Sequence, residues 1–159
     1  MIKKRYTAAE IICVILLLGF IVFLFIWHSG ETKKTAEELA SPVLEITDAS
    51  EMTRKSEEDA AEAFGFDLSK TEGVVYYRND NIMDVSELLI VKLNDKADSD
   101  ELKSAVESYV ADRKNLYKNY APQQFALLEN CIIDSNGNTL FYCTSKNAEK
   151  YYKEFKSNL

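Results

Sequence analysis

Hydrophobic and polar positions fall into distinct regimes along this chain. Residues 8–27 read AAEIICVILLLGFIVFLFIW, with Glu10 the only charge and every residue from Ile11 to Trp27 apolar or glycine. About 20 apolar residues, each rising ~1.5 Å, cross a ~30 Å hydrocarbon core, and no other stretch of the chain matches that length. Past residue 30 the pattern becomes periodic. Thr35 with Glu38 has capping-box spacing, and Ala36, Leu39, Ala40, Val43 and Leu44 recur at helical intervals. This predicts a helix over 35–47, with Pro42 able to kink or end it. Residues 48–55 are polar and read as a loop. Ser56 with Asp59 repeats the cap, Ala60, Ala61 and Phe64 follow, and Gly65 suits the left-handed position that ends a short second helix.

The period then switches toward two. Val74, Val75, Tyr76 and Tyr77 mark a strand over 72–78, and 79–81 form a turn. Residues 84–93 make the clearest strand. One face carries Val85, Glu87, Leu89, Val91 and Leu93; the less apolar face carries Ser86, Leu88, Ile90 and Lys92. The loop NDKADSDE at 94–101 lacks the regular acids and glycine of a calcium loop, so Asp98 or Ser99 reads as a helix cap. The longest helix is expected over 99–120, with Leu102, Ala105, Val106, Tyr109, Leu116, Tyr117 and Tyr120 as its stripe. Arg113 falls on that stripe, about 20° from Leu102 at 100° per residue. Pro122 opens one or two helical turns, PQQFALLE. Strands over 130–135 and 139–144 flank Asn136-Gly137-Asn138, a strong hairpin signal. A closing helix over 148–159 has Tyr151, Tyr152 and Phe155 as its stripe.

The expected class is α+β. An N-terminal transmembrane helix precedes a small domain with an antiparallel four-stranded sheet. Helices are segregated to a face of it, in the order α-α-β-β-α-β-β-α. Three segments follow: 1–30, a cytoplasmic tip and signal-anchor helix; 31–55, a membrane-proximal helix and linker; and 56–159, the extracytoplasmic α+β domain. Lys3, Lys4 and Arg5 form the densest positive cluster at the span, which places the N-terminus in the cytoplasm and the C-terminal domain outside the cell. The apolar run is too long for a cleaved signal peptide, and Phe25, Ile26, Trp27 and His28 do not suit a cleavage site. The expected location is therefore the cell membrane, as a single-pass protein holding the bilayer through residues 8–27, with Trp27 an interfacial anchor.

Charge narrows the partners. The whole chain carries −7; past residue 30 it holds 16 Lys and Arg against 25 Asp and Glu, about −9. A nucleic-acid-binding surface needs the opposite sign, so no nucleic acid is expected. The single histidine, His28, precedes the domain. A Ser-His or Cys-His nucleophile system therefore has no base there. Cys131 and Cys143 alone cannot form a Cys/His zinc site. No catalytic, metal or cofactor residues are assigned.

Three groups remain as architecture. Glu87 and Arg113 each interrupt an apolar face on the two most central elements, and such residues are rarely buried unless paired, so a buried or half-buried ion pair is expected. A two-residue turn at Asn136-Gly137 would pair Ser135 with Asn138, set Cys131 against Tyr142 and turn Cys143 to the other side of the sheet. A three-residue loop would pair Ser135 with Thr139 and set Cys131 opposite Cys143, where an exported protein allows a disulfide. Eight tyrosines lie beyond the span, as core residues with hydroxyls at its edge or as the lining of a groove for a sugar or peptide.

The run Glu87-Leu88-Leu89-Ile90-Val91-Lys92, then Arg113, Tyr120-Ala121-Pro122-Gln123-Gln124, Gly137 and the final helix resembles a known family, with Gly65-Phe66-Asp67 fitting the segment before its first strand. It is the domain of unknown function 4358, of small membrane-anchored or lipoprotein-like exported proteins of Gram-positive bacteria. The anchor departs from the many members that look lipid-modified. The resemblance implies the same fold order, and it implies that Glu87, Arg113, Tyr120, Pro122 and Gly137 are structural. It carries no activity. The sequence thus points to a non-enzymatic binding or envelope-assembly module with an envelope protein as partner; an extracytoplasmic ligand-sensing domain is the alternative.

Overall fold

A computed structural model describes residues 10–22, 31–47 and 52–159. The chain divides into two compact units, 1–30 and 31–159. In the first, residues 10–22 form helix α1, whose apolar side chains, such as Ile11, Leu16 and Phe20, are exposed. Among the described residues no helix is long and apolar enough to cross a membrane. Residues 8–9 and 23–27 of the expected span lie outside the described residues, as do Lys3, Lys4, Arg5 and His28.

The second unit is α+β. Its elements are α2 (Ala36–Ile46), β1 (Met52–Lys55), α3 (Glu57–Phe64), β2 (Thr71–Asn79), β3 (Glu87–Leu93), α4 (Ser99–Tyr117), α5 (Pro122–Glu129), β4 (Ile132–Asn136), β5 (Thr139–Thr144) and α6 (Ala148–Ser157). Short 3-10 turns at Leu68–Lys70 and Lys96–Asp98 lead into β2 and α4. Both capping boxes form: Thr35 and Glu38 bond reciprocally at α2, as do Ser56 and Asp59 at α3. Gly65 closes α3 at φ 73°, a conformation a Cβ would strain. Pro42 does not end α2, which runs on to Ile46. At α4 neither Asp98 nor Ser99 supplies a side-chain cap; Asp95 instead caps the preceding 3-10 turn through the Ala97 amide.

The sheet has five antiparallel strands in the order β1-β2-β3-β5-β4, where four were expected. The extra strand is β1, in the stretch read as loop. It pairs with residues 76–79 of β2, and three of its four residues, Thr53, Arg54 and Lys55, are polar. An edge strand with exposed polar residues shows no apolar alternation, so pairing recruited it where pattern could not announce it. The order past α1 is therefore α-β-α-β-β-α-α-β-β-α. Residues 31–55, expected as a membrane-proximal helix and linker, supply α2 and β1 to the compact unit.

Helices cover both faces of the sheet rather than one. On one face α2 and α6 bury Leu39, Val43, Tyr151 and Phe155 against Val75, Leu88, Ile90, Phe141 and Cys143. On the other, α3 and α4 bury Phe64, Leu102, Val106 and Val110 against Val74, Tyr76, Leu89, Val91, Leu140 and Tyr142. All seven residues of β3 are buried, because this central strand is roofed on both sides. A third cluster of Val85, Tyr117 and Leu128 seats α5.

Candidate functional site

Glu87 opens β3 on the α3/α4 face and is fully buried. Arg113 reaches it from α4, and Nη1 lies 2.5 Å from Oε1. The pair anticipated from the sequence thus meets, with the arginine side chain only 12% exposed. Three tyrosine hydroxyls donate to the same carboxylate: Tyr109 to Oε1 at 2.7 Å, Tyr76 to Oε1 at 3.2 Å and Tyr142 to Oε2 at 3.1 Å. Thr144 Oγ1 donates to the Tyr142 hydroxyl at 2.7 Å, and Arg113 Nη1 to that of Tyr109 at 2.6 Å. The Arg113 guanidinium stands 5.4 Å from the Tyr109 ring centre and 5.7 Å from that of Tyr117.

Strand register and helix period assemble this cluster. Tyr76, Leu89 and Tyr142 lie side by side on β2, β3 and β5, because Leu89 pairs with both tyrosines. Arg78 pairs with Glu87 and holds Nε 3.8 Å from Oε1. On α4, Tyr109 and Arg113 are one turn apart and point at the same spot. A carboxylate has about four lone-pair positions. Tyr76, Tyr109 and Arg113 direct three donors at Oε1, while among the described residues Oε2 accepts from the Tyr142 hydroxyl.

Burial, then the Glu87 charge, pushes the hydroxyls of Tyr76, Tyr109 and Tyr142 well above the ordinary tyrosine range. They stay protonated donors at any physiological pH. Burial pulls Arg113 down, but the Glu87 charge and the Tyr109 hydroxyl outweigh it and hold the guanidinium charged. The cluster is a buried polar core in which the hydroxyls of Tyr76, Tyr109 and Tyr142 turn inward to the carboxylate.

The other residues singled out from the sequence lie apart from this cluster. Tyr120 follows the end of α4, stacks on Tyr117 at 5.4 Å and is exposed. Leu116 is exposed as well, because the buried line of α4 runs through Val106, Val110 and Tyr117, some 40–80° round from Leu102. Pro122 takes the first turn of α5, where its missing N–H costs nothing. Gly137, at φ 58°, forms the β4–β5 turn with Asn138. That two-residue loop lies one residue later than the expected Asn136-Gly137 turn and pairs Asn136 with Thr139, a register that neither expected pairing of Ser135 gives; it places the cysteines on opposite faces, Cys131 with the α3/α4 core and Cys143 with the α2/α6 core, both as free thiols.

The tyrosine ring around Glu87 is what sequence reading missed. Its signal existed only in cross-strand register, which the sequence leaves open. Beside the cluster lies an open cleft of about 590 Å³ between α3 and β1–β2, bounded by Lys55, Asp59, Glu62, Tyr76, Arg78 and Asp80. Among the described residues no group of three His, Cys, Asp or Glu side chains is placed to hold a metal ion.

The family model described as Domain of unknown function (DUF4358) matches residues 45–145, which include β1 through β5 and the whole Glu87 cluster. No curated protein and no solved structure matches the chain. With well over half of its length under that match, and with Glu87, Arg113 and the three tyrosines inside it, the chain belongs to the DUF4358 family.

Proposed function

We propose that this chain is a single-pass membrane protein that displays its 31–159 unit outside the cell and acts there as a non-enzymatic binding or envelope-assembly module. The observation that most supports this is α1. Its exposed Ile11, Ile12, Val14, Ile15, Leu16, Leu17, Leu18, Phe20, Ile21 and Val22 leave no polar stripe past Glu10. A helix apolar all round suits a protein core or a bilayer, not water. Lys3, Lys4 and Arg5 before it favour a cytoplasmic N-terminus. Full burial of Glu87 among four donors supports an architectural role for that carboxylate. Paired fusions at Leu159 test the topology: alkaline phosphatase should be active and a cytosol-dependent fluorescent protein dark. The reverse pattern overturns the reading.

A ligand-sensing domain is the second reading, favoured by the 590 Å³ cleft with Lys55, Arg78 and carboxylates converging on it. A small-molecule thermal-shift panel on the full chain, repeated with Arg78→Ala, tests it. A shift that disappears in the variant supports sensing, and no shift in either chain removes it.

A further inference from the structure

The charges that line the cleft between α3 and β1–β2 are unevenly committed. Strand register sets its floor: Lys55 of β1 lies opposite Tyr76 of β2, and Arg78, two residues on, lies opposite Glu87 of β3. Its wall is α3, where Asp59 and Glu62 stand three residues apart on one side of the helix. Lys55 is taken by Asp80 at 2.5 Å, and Thr53 Oγ1 donates to the same carboxylate at 2.5 Å. One oxygen of Asp59 accepts from the Ser56 amide in the capping box of α3. Two opposite charges are left. Among the described residues the exposed Glu62 carboxylate has no hydrogen-bond or ion-pair partner. The Arg78 guanidinium makes no hydrogen bond there, and its one ion-pair contact is Nε to Glu87 Oε1 at 3.8 Å. The Glu87 charge is already matched by Arg113 at 2.5 Å, so Arg78 is the surplus cation of the cluster, 38% exposed at the cleft.

Arg78 and Glu62 line one cleft and make no ion pair with each other. A gap bounded by one uncommitted charge of each sign is the complement of a molecule that carries both. We propose that this cleft binds a small zwitterion of the free amino-acid class, with its carboxylate on the Arg78 guanidinium and its ammonium at Glu62 and the second oxygen of Asp59. The planar fork of a guanidinium matches a carboxylate through two parallel hydrogen bonds. A simple anion such as phosphate brings its charge against Glu62 and Asp59, and a simple cation brings its own against Arg78; like charges so placed lower affinity. A neutral sugar leaves both charges without an opposite. The cleft volume of about 590 Å³ falls within the usual range for small-molecule sites and leaves room for a side chain beside Ala63 and Asn79. The inference rests on the ligand-sensing reading and gives that site its chemical class.

The test titrates the purified full chain, in detergent micelles, with free L- and D-amino acids, and with acetate, phosphate and methylammonium as single-charge probes. Amide NMR shifts at Ala63, Tyr76 and Asn79 report occupancy of the cleft. At least one amino acid should bind there about tenfold or more tighter than every single-charge probe. Glu62→Gln and Arg78→Gln should each weaken it about tenfold. The losses should be charge-specific. The N-acetyl form of the same amino acid should bind Glu62→Gln as it binds the parent, and the carboxamide form should bind Arg78→Gln as it binds the parent. Glu62 is exposed and makes no structural contact, so its variant keeps the test open should Arg78→Gln disturb the Glu87 cluster. Acetate, phosphate or methylammonium binding as tightly as any amino acid overturns the proposal. Equal losses for charged and blocked forms overturn it too, as does a panel without a binder. In that last case an Arg78-dependent shift from the broader small-molecule panel still supports sensing, so the two readings fail separately.

Discussion

The two faces of the sheet are built on the same strands and close by different means. Under α2 and α6 the core is apolar: Leu88 and Ile90 of β3 meet Leu39, Val43, Phe141 and Phe155. Under α3 and α4 the same strand presents Glu87, and three tyrosines and an arginine are spent on satisfying it. An apolar core needs volume and shape, and many side chains of the right size meet that need. A buried carboxylate needs donors at fixed distances and directions, so it ties β2, β3, β5 and α4 to one register. The family match from 45 to 145 takes in α3 and α4 whole, but only the end of α2 and none of α6.

If the polar face is directional, removing one partner should hurt more than its size suggests. Arg113→Met should cost ~3–5 kcal/mol in urea unfolding, because Glu87 keeps its charge inside the protein. Adding Glu87→Gln to it should cost clearly less than the sum of the single changes, by ~1–3 kcal/mol, since both act on one interaction. Strict additivity would mean that the two residues are independent.

On the apolar face, Phe141→Ala removes a fully buried ring packed on Phe155 and should cost ~3–5 kcal/mol, almost entirely as a cavity. Combined with Arg113→Met it should add to within ~0.5 kcal/mol, because the sheet separates the two sites. Coupling between them would erase the distinction drawn between the faces.

Alkali should act on the polar face through its tyrosines; on the other face burial also raises the Cys143 thiol, and burial and the Asp134 contact push Tyr152 up to about 12. Tyr76, Tyr109 and Tyr142 hold their protons in the folded state beyond the ordinary value of ~10 that applies to the unfolded chain. Above that pH the unfolded chain loses these protons first. The contribution of these tyrosines is therefore whole below about pH 10 and falls as pH rises toward the folded-state values, by up to ~1.4 kcal/mol per pH unit for each tyrosine. Lys92, whose pKa burial lowers, works in the opposite sense over the same range. Comparing urea midpoints of the parent with Tyr76→Phe from pH 8 to 11 isolates one tyrosine, and the variant should show the shallower decline.

The smallest effect should come from a residue that belongs to neither face. Tyr120→Ala, at an exposed position past the end of α4, should change stability by no more than ~0.5 kcal/mol. A larger loss would make the stacked Tyr117–Tyr120 pair part of the core.

Glu87 and Arg113 were legible because each broke an apolar pattern, and a charge in such a place needs a partner. Tyr76 and Tyr142 were not, because a tyrosine in a strand looks the same whether its hydroxyl meets water or a carboxylate. The capping boxes at Thr35 and Ser56 and the left-handed Gly65 were equally plain, since they rest on contacts three or four residues apart. β1 was hidden for the converse reason: its identity comes from pairing with β2, more than twenty residues away.

By itself the sequence determined the local elements: where the two capped helices α2 and α3 start, that a hairpin turns around Gly137, and which charges need company. These follow from period, backbone conformation and short-range hydrogen bonds. Only the tertiary structure decided the fifth strand, the covering of both sheet faces, the opposite sides taken by Cys131 and Cys143, and the ring of hydroxyls on Glu87. Each of these depends on strand register and on which helix crosses which face, and those are settled by long-range packing that no local pattern encodes.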